Sequence, residues 1–314
     1  MKQVLVTGAA GFVGQALCPL LERDGWAVRK AVRRPCEDCA AIGDIGPDTD
    51  WRAALKGVTA IVHLAARVHV MRDAAGNPLT QYRTVNCAGT ANLARQATQA
   101  GVKRLVYLSS IKVNGETTGD TPFRAGDIPQ PQDPYAISKW EAEQALHRIA
   151  GETGLETVIL RPPLVYGPGV KANFLRLLGL VERGLPLPLG AAANRRSLLY
   201  LGNLADAIRL CLFHPAAAGK TFLLSDGKAL SSADLVRHLA TAMGKPPRLI
   251  AVPPTLLRIA ALLTGTSAEA ARLLDSLEID GSAIERELDW RPPFSLEQGL
   301  AVTAAWYRAA RKGR

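Results

Sequence analysis

Tyr135-Ala-Ile-Ser-Lys139 sets a phenol and an ammonium four positions apart, directly behind Asp133-Pro134. Asp is a favoured helix N-cap and Pro a favoured first helical residue, so a helix is expected to begin here. Residues at i and i+4 then share one face. An ammonium beside a phenol, near the positive end of a helix, stabilises phenolate and draws a reference pKa of ~10 toward the range of a proton-transfer catalyst. Upstream, Ser109-Ser110 closes an expected strand, where a hydroxyl can hydrogen-bond a substrate oxygen.

A second group of residues suits a dinucleotide. Thr7-Gly8-Ala-Ala-Gly11-Phe12-Val13-Gly14 follows the first expected strand and opens the first helix, the context that gives a glycine fingerprint its meaning. Gly8 makes the tight turn, Gly11 lets the backbone approach a pyrophosphate, and Gly14 allows close helix–strand packing. Phe12 and Val13 belong to the same turn, whose helix N-terminus offers unpaired N–H donors and partial positive charge. An acidic residue after the second strand would take the ribose hydroxyl of NAD, whereas Arg accommodates the 2′-phosphate of NADP. This chain has Val32-Arg33-Arg34 there, so NADP(H) is expected in preference to NAD(H). Asp44 and Ile45, after a short third strand, would face the adenine.

The elements needed to position these groups alternate along the chain. Short β-branched runs at 4–6, 27–32, 60–64, 105–108 and 158–160 are separated by helical patterns at 12–23, 79–100 and 135–153, several ended by glycine (Gly25, Gly101, Gly154). Such alternation marks βαβ units and a parallel sheet covered on both faces. The fold class expected is α/β, a Rossmann-type doubly wound parallel sheet with a smaller mixed C-terminal substrate region. The dinucleotide-binding part is placed at 1–165 and the substrate-binding part at 166–314, with parts of 191–225 returning to the main sheet. In the second part, helices are expected at 174–183, 204–213, 233–243 and 296–310, and strands at 222–224 and 249–252.

Composition narrows the classes. With 314 residues and 48% apolar content, the chain can bury a large core and is not disordered. The excess of 38 Lys and Arg over 28 Asp and Glu attracts phosphates, but it is spread out, and no recognition motif for nucleic acid is visible. The one local cluster, Arg308, Arg311, Lys312 and Arg314, reads as a solvated end. Five scattered cysteines indicate a reducing compartment; Cys36 and Cys39 form a CxxC without further ligands and are assigned no function. No metal site is expected. No secretory signal is visible, so a cytoplasmic location is expected. The apolar stretch 252–264 starts at Pro253-Pro254 and carries Arg258. It is too short to span a bilayer and reads as a packed amphipathic helix, with a weak membrane-surface contact as the sharper alternative.

Taken together these residues resemble the extended short-chain dehydrogenase/reductases, in their nucleotide-sugar epimerase/dehydratase branch. The resemblance runs through the glycine motif, His63-Leu64-Ala65-Ala66, Val85-Asn86 with Gly89-Thr90, and Arg161-Pro162-Pro163-Leu-Val-Tyr166-Gly167-Pro168. It implies a catalytic triad of Ser110, Tyr135 and Lys139, with Ser110 chosen over Ser109 by its distance from Val113-Asn114-Gly115. Asn114 departs from the family's usual Tyr. The resemblance adds Leu64, Ala65, Ala66 and Pro162 to the cofactor site, where Tyr135 and Lys139 also serve. It makes Arg196 the candidate for a substrate diphosphate, with Asn173 and Arg272 as further diphosphate or uridine candidates, and the substrate probe a UDP-linked sugar. Homodimers through the helices at 79–100 and 135–153 are expected from many relatives.

Ser110 is followed by Ile111-Lys112 rather than an acidic pair, which disfavours 4,6-dehydration. Reduction of a 4-keto sugar and epimerisation at C4 remain. Arg33 and Arg34 tilt the choice to an NADPH-dependent reductase of a UDP-4-keto-6-deoxy-hexosamine, similar to the C4-reductases of bacterial surface-polysaccharide (O-antigen) biosynthesis. The alternatives are a UDP-hexose or UDP-N-acetylhexosamine 4-epimerase with bound NAD, and a non-catalytic dinucleotide sensor.

Overall fold

The computed structural model describes residues 2–37, 39–68 and 78–312; Arg314 of the basic end lies outside them. In chain order the first part comprises β1 (Gln3–Thr7), α1 (Phe12–Arg23), β2 (Ala27–Val32), β3 (Cys39–Ala41), α2 (Arg52–Leu55), β4 (Ala60–His63), α3 (Pro78–Tyr82), α4 (Gly89–Gln99), β5 (Arg104–Leu108), α5 (Pro134–Thr153) and β6 (Glu156–Arg161). Then follow β7 (Leu164–Tyr166), α6 (Ala172–Glu182), β8 (Leu198–Tyr200), α7 (Leu201–Phe213), β9 (Thr221–Leu223), α8 (Ser232–Ala242), α9 (Pro254–Leu263), α10 (Ser267–Leu274), α11 (Ser282–Leu288) and α12 (Leu296–Lys312).

Seven parallel strands form the main sheet in the order β3-β2-β1-β4-β5-β6-β9, the Rossmann-type architecture expected. Strand side chains alternate between its faces. Val4, Val6, Ala60 and Val62 enter a core shared with α1 and α7, while Leu5 and Ile61 enter a second core with α2, α4 and α5. Each of these residues is at most 3% exposed, so every central strand must be apolar on both sides, which is why the strands read as continuous β-branched runs rather than alternating ones. Burial of each Val, Leu or Ile contributes about 1.5–3 kcal/mol.

The strand order reverses between β1 and β4, and all seven strands end on the same edge. That edge therefore carries Gly8 after β1, Leu64 after β4, Ser109 and Ser110 after β5, and Pro162 after β6. Ligands of open α/β sheets bind in the crevice at such a reversal.

A third core gathers α6, α8, α12 and the two-stranded parallel sheet β7-β8 around Tyr166, Phe174, Tyr200 and Leu239. Half-buried Asp226 joins this region to α7: it accepts from Tyr166 Oη at 3.0 Å, from Tyr200 N at 2.8 Å and from Asn203 Nδ2 at 2.7 Å.

Two element expectations need correction. The pattern at 79–100 is not one helix: a π-helical turn at Arg83–Ala88 separates α3 from α4, a widening that inserts Asn86 toward α5 without breaking the apolar periodicity. Residues 249–252 form no strand; Leu249 makes an isolated bridge to Leu187, because the neighbouring segment has no ladder to extend. Cys36 and Cys39, assigned no function from sequence, are joined as a disulfide, their Cα atoms 5.4 Å apart in a tight turn entering β3.

Candidate active site

Between β1 and α1 the chain has no room for side chains. Gly8 has φ of +68°, and a Cβ there would lie 2.9 Å from Ala65 N; a Cβ on Gly14 would lie 2.5 Å from the carbonyl oxygens of Gly8 and Ala9. Gly11 N donates to Gly8 O at 2.9 Å and closes the turn. Phe12 and Val13 point away from the turn, Phe12 into the third core and Val13 into the first, leaving backbone N–H groups at the helix start. A cradle that a Cβ would fill, at the N-terminus of a twelve-residue helix, fits a dinucleotide pyrophosphate.

His63 holds the opposite wall. Its ring bonds Thr7 Oγ1 at 2.6 Å and Thr90 Oγ1 at 2.9 Å, and Thr7 Oγ1 also accepts from Ala65 N at 3.1 Å. The ends of β1 and β4 and the start of α4 are thereby locked together, with Leu64, Ala65 and Ala66 half-buried at the mouth. Burial, aided by Lys139, pushes the His63 pKa from 6.5 down to about 3. The folded protein therefore binds fewer protons than the unfolded chain between those values, and stability declines as pH falls from 6.5 toward 3. His63→Phe is expected to cost about 2–4 kcal/mol, since it removes the hydrogen bonds that two buried hydroxyls make to the ring, and to flatten that acid slope; urea titrations at pH 5 and 7 measure both.

Arg33 and Arg34 are exposed at the end of β2. Arg33 Nη1 lies 3.9 Å from Asp44 Oδ1, so both candidates share this rim. Ile45 instead packs its side chain toward the second core, against Gly89.

The Tyr135 helix begins as its sequence dictates, with Asp133 Oδ1 accepting from Ala136 N at 2.6 Å. The other carboxylate oxygen of Asp133 accepts from Lys112 Nζ at 2.6 Å, and Lys112 also bonds Glu116 at 2.8 Å. Burial alone would lower Lys112; the two carboxylates raise it overall. This bridge fastens the short 3-10 turn after Ser110 to the first turn of α5. Ser110 Oγ accepts from Lys112 N at 3.3 Å and is near enough to the Tyr135 hydroxyl to pull its pKa down in part. Ser109 turns the other way, donating to buried Glu143, and the structure thus separates the two serines.

Lys139 is 2% exposed. Its ammonium donates to Leu108 O at 2.7 Å, lies 4.4 Å from the Tyr107 ring centroid and 6.0 Å from that of Tyr135. Burial draws its pKa down to about 7, against an upward pull from Glu143. The expectation of an acidified phenol is corrected here. Desolvation, reinforced by Asp133, raises Tyr135 above its ordinary value, and Ser110 offsets only part of it. The reason is geometric: Lys139 spends its hydrogen bond on Leu108 rather than on the phenol.

Sequence reading missed the support beneath this cluster. Glu143, fully buried one turn beyond Lys139, takes Arg161 through both carboxylate oxygens at 3.0 and 2.5 Å. Arg161 Nη1 also donates to Asn114 Oδ1 at 2.9 Å, which gives a task to the residue that departs from the family pattern. The available signal was the recurrence of 135, 139 and 143 on one helical face. Asn86, in the π-helical turn, donates to Ser138 Oγ at 2.9 Å and accepts from Arg67 N at 2.7 Å, tying the loop after β4 to α5.

The substrate candidates are less gathered. Pro162 receives Ile111 N at 3.0 Å on its carbonyl. Arg196 is half-buried, bridges Leu230 and Leu277 through its backbone, and donates from Nη1 to Asp275 O at 2.9 Å; burial lowers its pKa, with Asp275 and Glu116 opposing and Arg272 adding to the fall. Arg196 and Arg272 therefore lie within electrostatic reach of one another. Asn173 is exposed in the first turn of α6, and no hydrogen bond among the described residues joins it to either arginine.

The model of the NAD dependent epimerase/dehydratase family matches residues 4–224. The chain belongs to that family. A UDP-glucose 4-epimerase of Vibrio cholerae is 45% identical over 310 residues, spanning 96% of this chain and 94% of its own. A 2-alkyl-3-oxoalkanoate reductase of Stenotrophomonas maltophilia (strain K279a) is 33% identical over 258 residues, spanning 78% of this chain and 76% of its own. The solved structure of MoeE5 in complex with UDP-glucose and NAD superposes with a TM-score of 0.78 at 28% identity, covering 99% of this chain and 100% of that one. This epimerase/dehydratase-family protein is thus an extended short-chain dehydrogenase/reductase of the nucleotide-sugar type, NAD-linked by family. Its described helices include none long and apolar enough to cross a membrane, and its described residues include no cluster able to hold a metal ion.

Proposed function

We propose that the chain is a UDP-hexose or UDP-N-acetylhexosamine 4-epimerase working with bound NAD. The observation that carries the choice is the 45% identity, along nearly the whole of both chains, to the Vibrio cholerae UDP-glucose 4-epimerase. It favours the alternative over the C4-reductase reading drawn from Arg33 and Arg34.

In this reading the turn at Gly8, Gly11 and Gly14 would hold NAD, which would supply reversible hydride acceptance at the sugar C4, so that no external cofactor would be consumed. Tyr135 is the group placed to exchange a proton with the C4 hydroxyl; because burial raises its pKa in the free chain, the phenolate needs the positive charge of Lys139 and of a bound nicotinamide to form. Ser110, close enough to the phenol to influence its pKa, is placed to steady the same oxygen while its charge changes. Lys139 binds the ribose and supplies positive charge near the phenol. Arg196, and Arg272 beside it, hold the diphosphate through charge-assisted bonds; Asn173 is a weaker contact. Incubation with UDP-glucose or UDP-N-acetylglucosamine, without added cofactor, is expected to yield the C4 epimer. NADPH consumption with a UDP-4-keto-6-deoxy sugar, and no epimer from either unmodified sugar, would overturn this reading in favour of the reductase.

Cofactor choice follows the rim after β2. Asp44 sits 3.9 Å from Arg33, where a carboxylate opposes a 2′-phosphate and accepts a ribose hydroxyl. Arg33→Ala/Arg34→Ala is expected to change NAD affinity by less than about threefold while weakening NADP by about tenfold or more, two lost charge-assisted bonds at most being at stake. Calorimetric titration with each cofactor measures the ratio, and an unchanged ratio removes the arginines from the site.

A further inference from the structure

Four of the exposed large apolar side chains among the described residues lie on one helix, α9. Pro254-Thr-Leu-Leu-Arg-Ile-Ala-Ala-Leu-Leu263 contains no acidic residue. Leu256 and Ile259 are each 55% exposed, Leu262 73% and Leu263 82%. Spaced at three and four residues, they share a face; Ile250 and Leu273, 52% and 39% exposed, lie in the segments before and after the helix. Ala261 is the helix's one buried residue. The helix packs as expected from sequence, through Leu257 on the third core and buried Ala261, but it carries a second apolar side turned outward. A contiguous apolar face with a polar rim marks an interaction surface.

The rim identifies what covers it. Lys245 and Arg248 are exposed in the segment leading into α9, Arg272 is exposed on α10, which packs against α9, and Arg258 is held by Asp275 at 2.5 Å. Glu269 is the one acid within α9 and α10. A second copy meeting this face across a two-fold axis would set cationic rim against cationic rim. An anionic lipid surface complements both features at once, taking the leucines into its acyl boundary and the cations among its headgroups.

We infer that α9 docks this protein on anionic membrane surfaces, independently of which reaction it catalyses. The docked helix stands next to the substrate side: Asp275 receives Arg258 through its carboxylate and Arg196 through its carbonyl. The mouth holding Arg196 would then open beside the headgroups, where lipid-borne diphosphates and the enzymes that use them lie.

Flotation of the full chain with phosphatidylcholine vesicles, with and without about one-third phosphatidylglycerol, tests this. Binding to the anionic vesicles alone is expected, weakening as salt rises. Leu262→Ser/Leu263→Ser should weaken it about tenfold or more, and Lys245→Glu/Arg248→Glu should weaken it as well. Turnover of soluble UDP-sugar should stay unchanged in both variants. Absence of binding to anionic vesicles, or equal binding by the leucine variant, overturns the inference. So does a wild-type dimer that the leucine variant dissociates without any vesicle binding, which would assign the face to a second copy.

Discussion

Tyr135→Phe is expected to lower turnover of the UDP-sugar by about 10²–10⁴-fold, the usual share of a positioned proton-transfer group, and to leave NAD bound. The substitution removes a single oxygen. That oxygen is the group Ser110 acts on, while the ring's edge contact with Tyr82, centroids 6.3 Å apart, survives in Phe. The glycine cradle, built from β1, α1 and the loop after β4, is untouched. Loss of activity with retained cofactor content therefore isolates the proton-transfer role. A variant within about tenfold of wild type would remove Tyr135 from the reaction.

Glu143→Gln is expected to cost about 3–5 kcal/mol, because it leaves the Arg161 guanidinium buried without its counter-ion. Side-chain exposures of 4% and 0% for Arg161 and Glu143 exclude water from filling the gap. The same change at the exposed Glu141, which pairs with Arg83 at 2.5 Å with side-chain exposures of 26% and 51%, should cost no more than about 1 kcal/mol. Urea unfolding of the two variants side by side measures the contrast. Equal effects would mean that the buried pair is not what anchors the end of β5 to α5 and β6.

Much of this architecture is legible because the sheet is buried on both faces. Leu5, Ile61 and Val106 are apolar whichever core they enter, so the central strands announce themselves. Asp133-Pro134 fixes the start of α5 by local chemistry alone, and Tyr135 and Lys139 follow from that register. The glycine turn is equally local, since the steric demands at Gly8 and Gly14 admit no other residue.

What escaped the sequence depends on distant partners. The π-helical turn around Asn86 keeps the apolar pattern of a helix while shifting its phase, so only contact with Ser138 reveals it. The phenol's raised pKa could not be read from the spacing of Tyr135 and Lys139, because it is set by desolvation and by the carbonyl of Leu108 that captures the ammonium. Glu143, Arg161 and Asn114 come from three separate segments. In α9, the sequence showed the apolar character but not how much of it tertiary packing leaves exposed.

Deuterium at C4 of UDP-glucose reports most directly on the proposed chemistry. With the substrate labelled at that carbon and no cofactor added, proton NMR of the UDP-galactose formed is expected to show deuterium still at C4, because the same hydride leaves and returns within one turnover. Formation of the epimer with solvent hydrogen at C4, or no epimer at all, would contradict a hydride shuttle governed by Tyr135, Ser110 and Lys139.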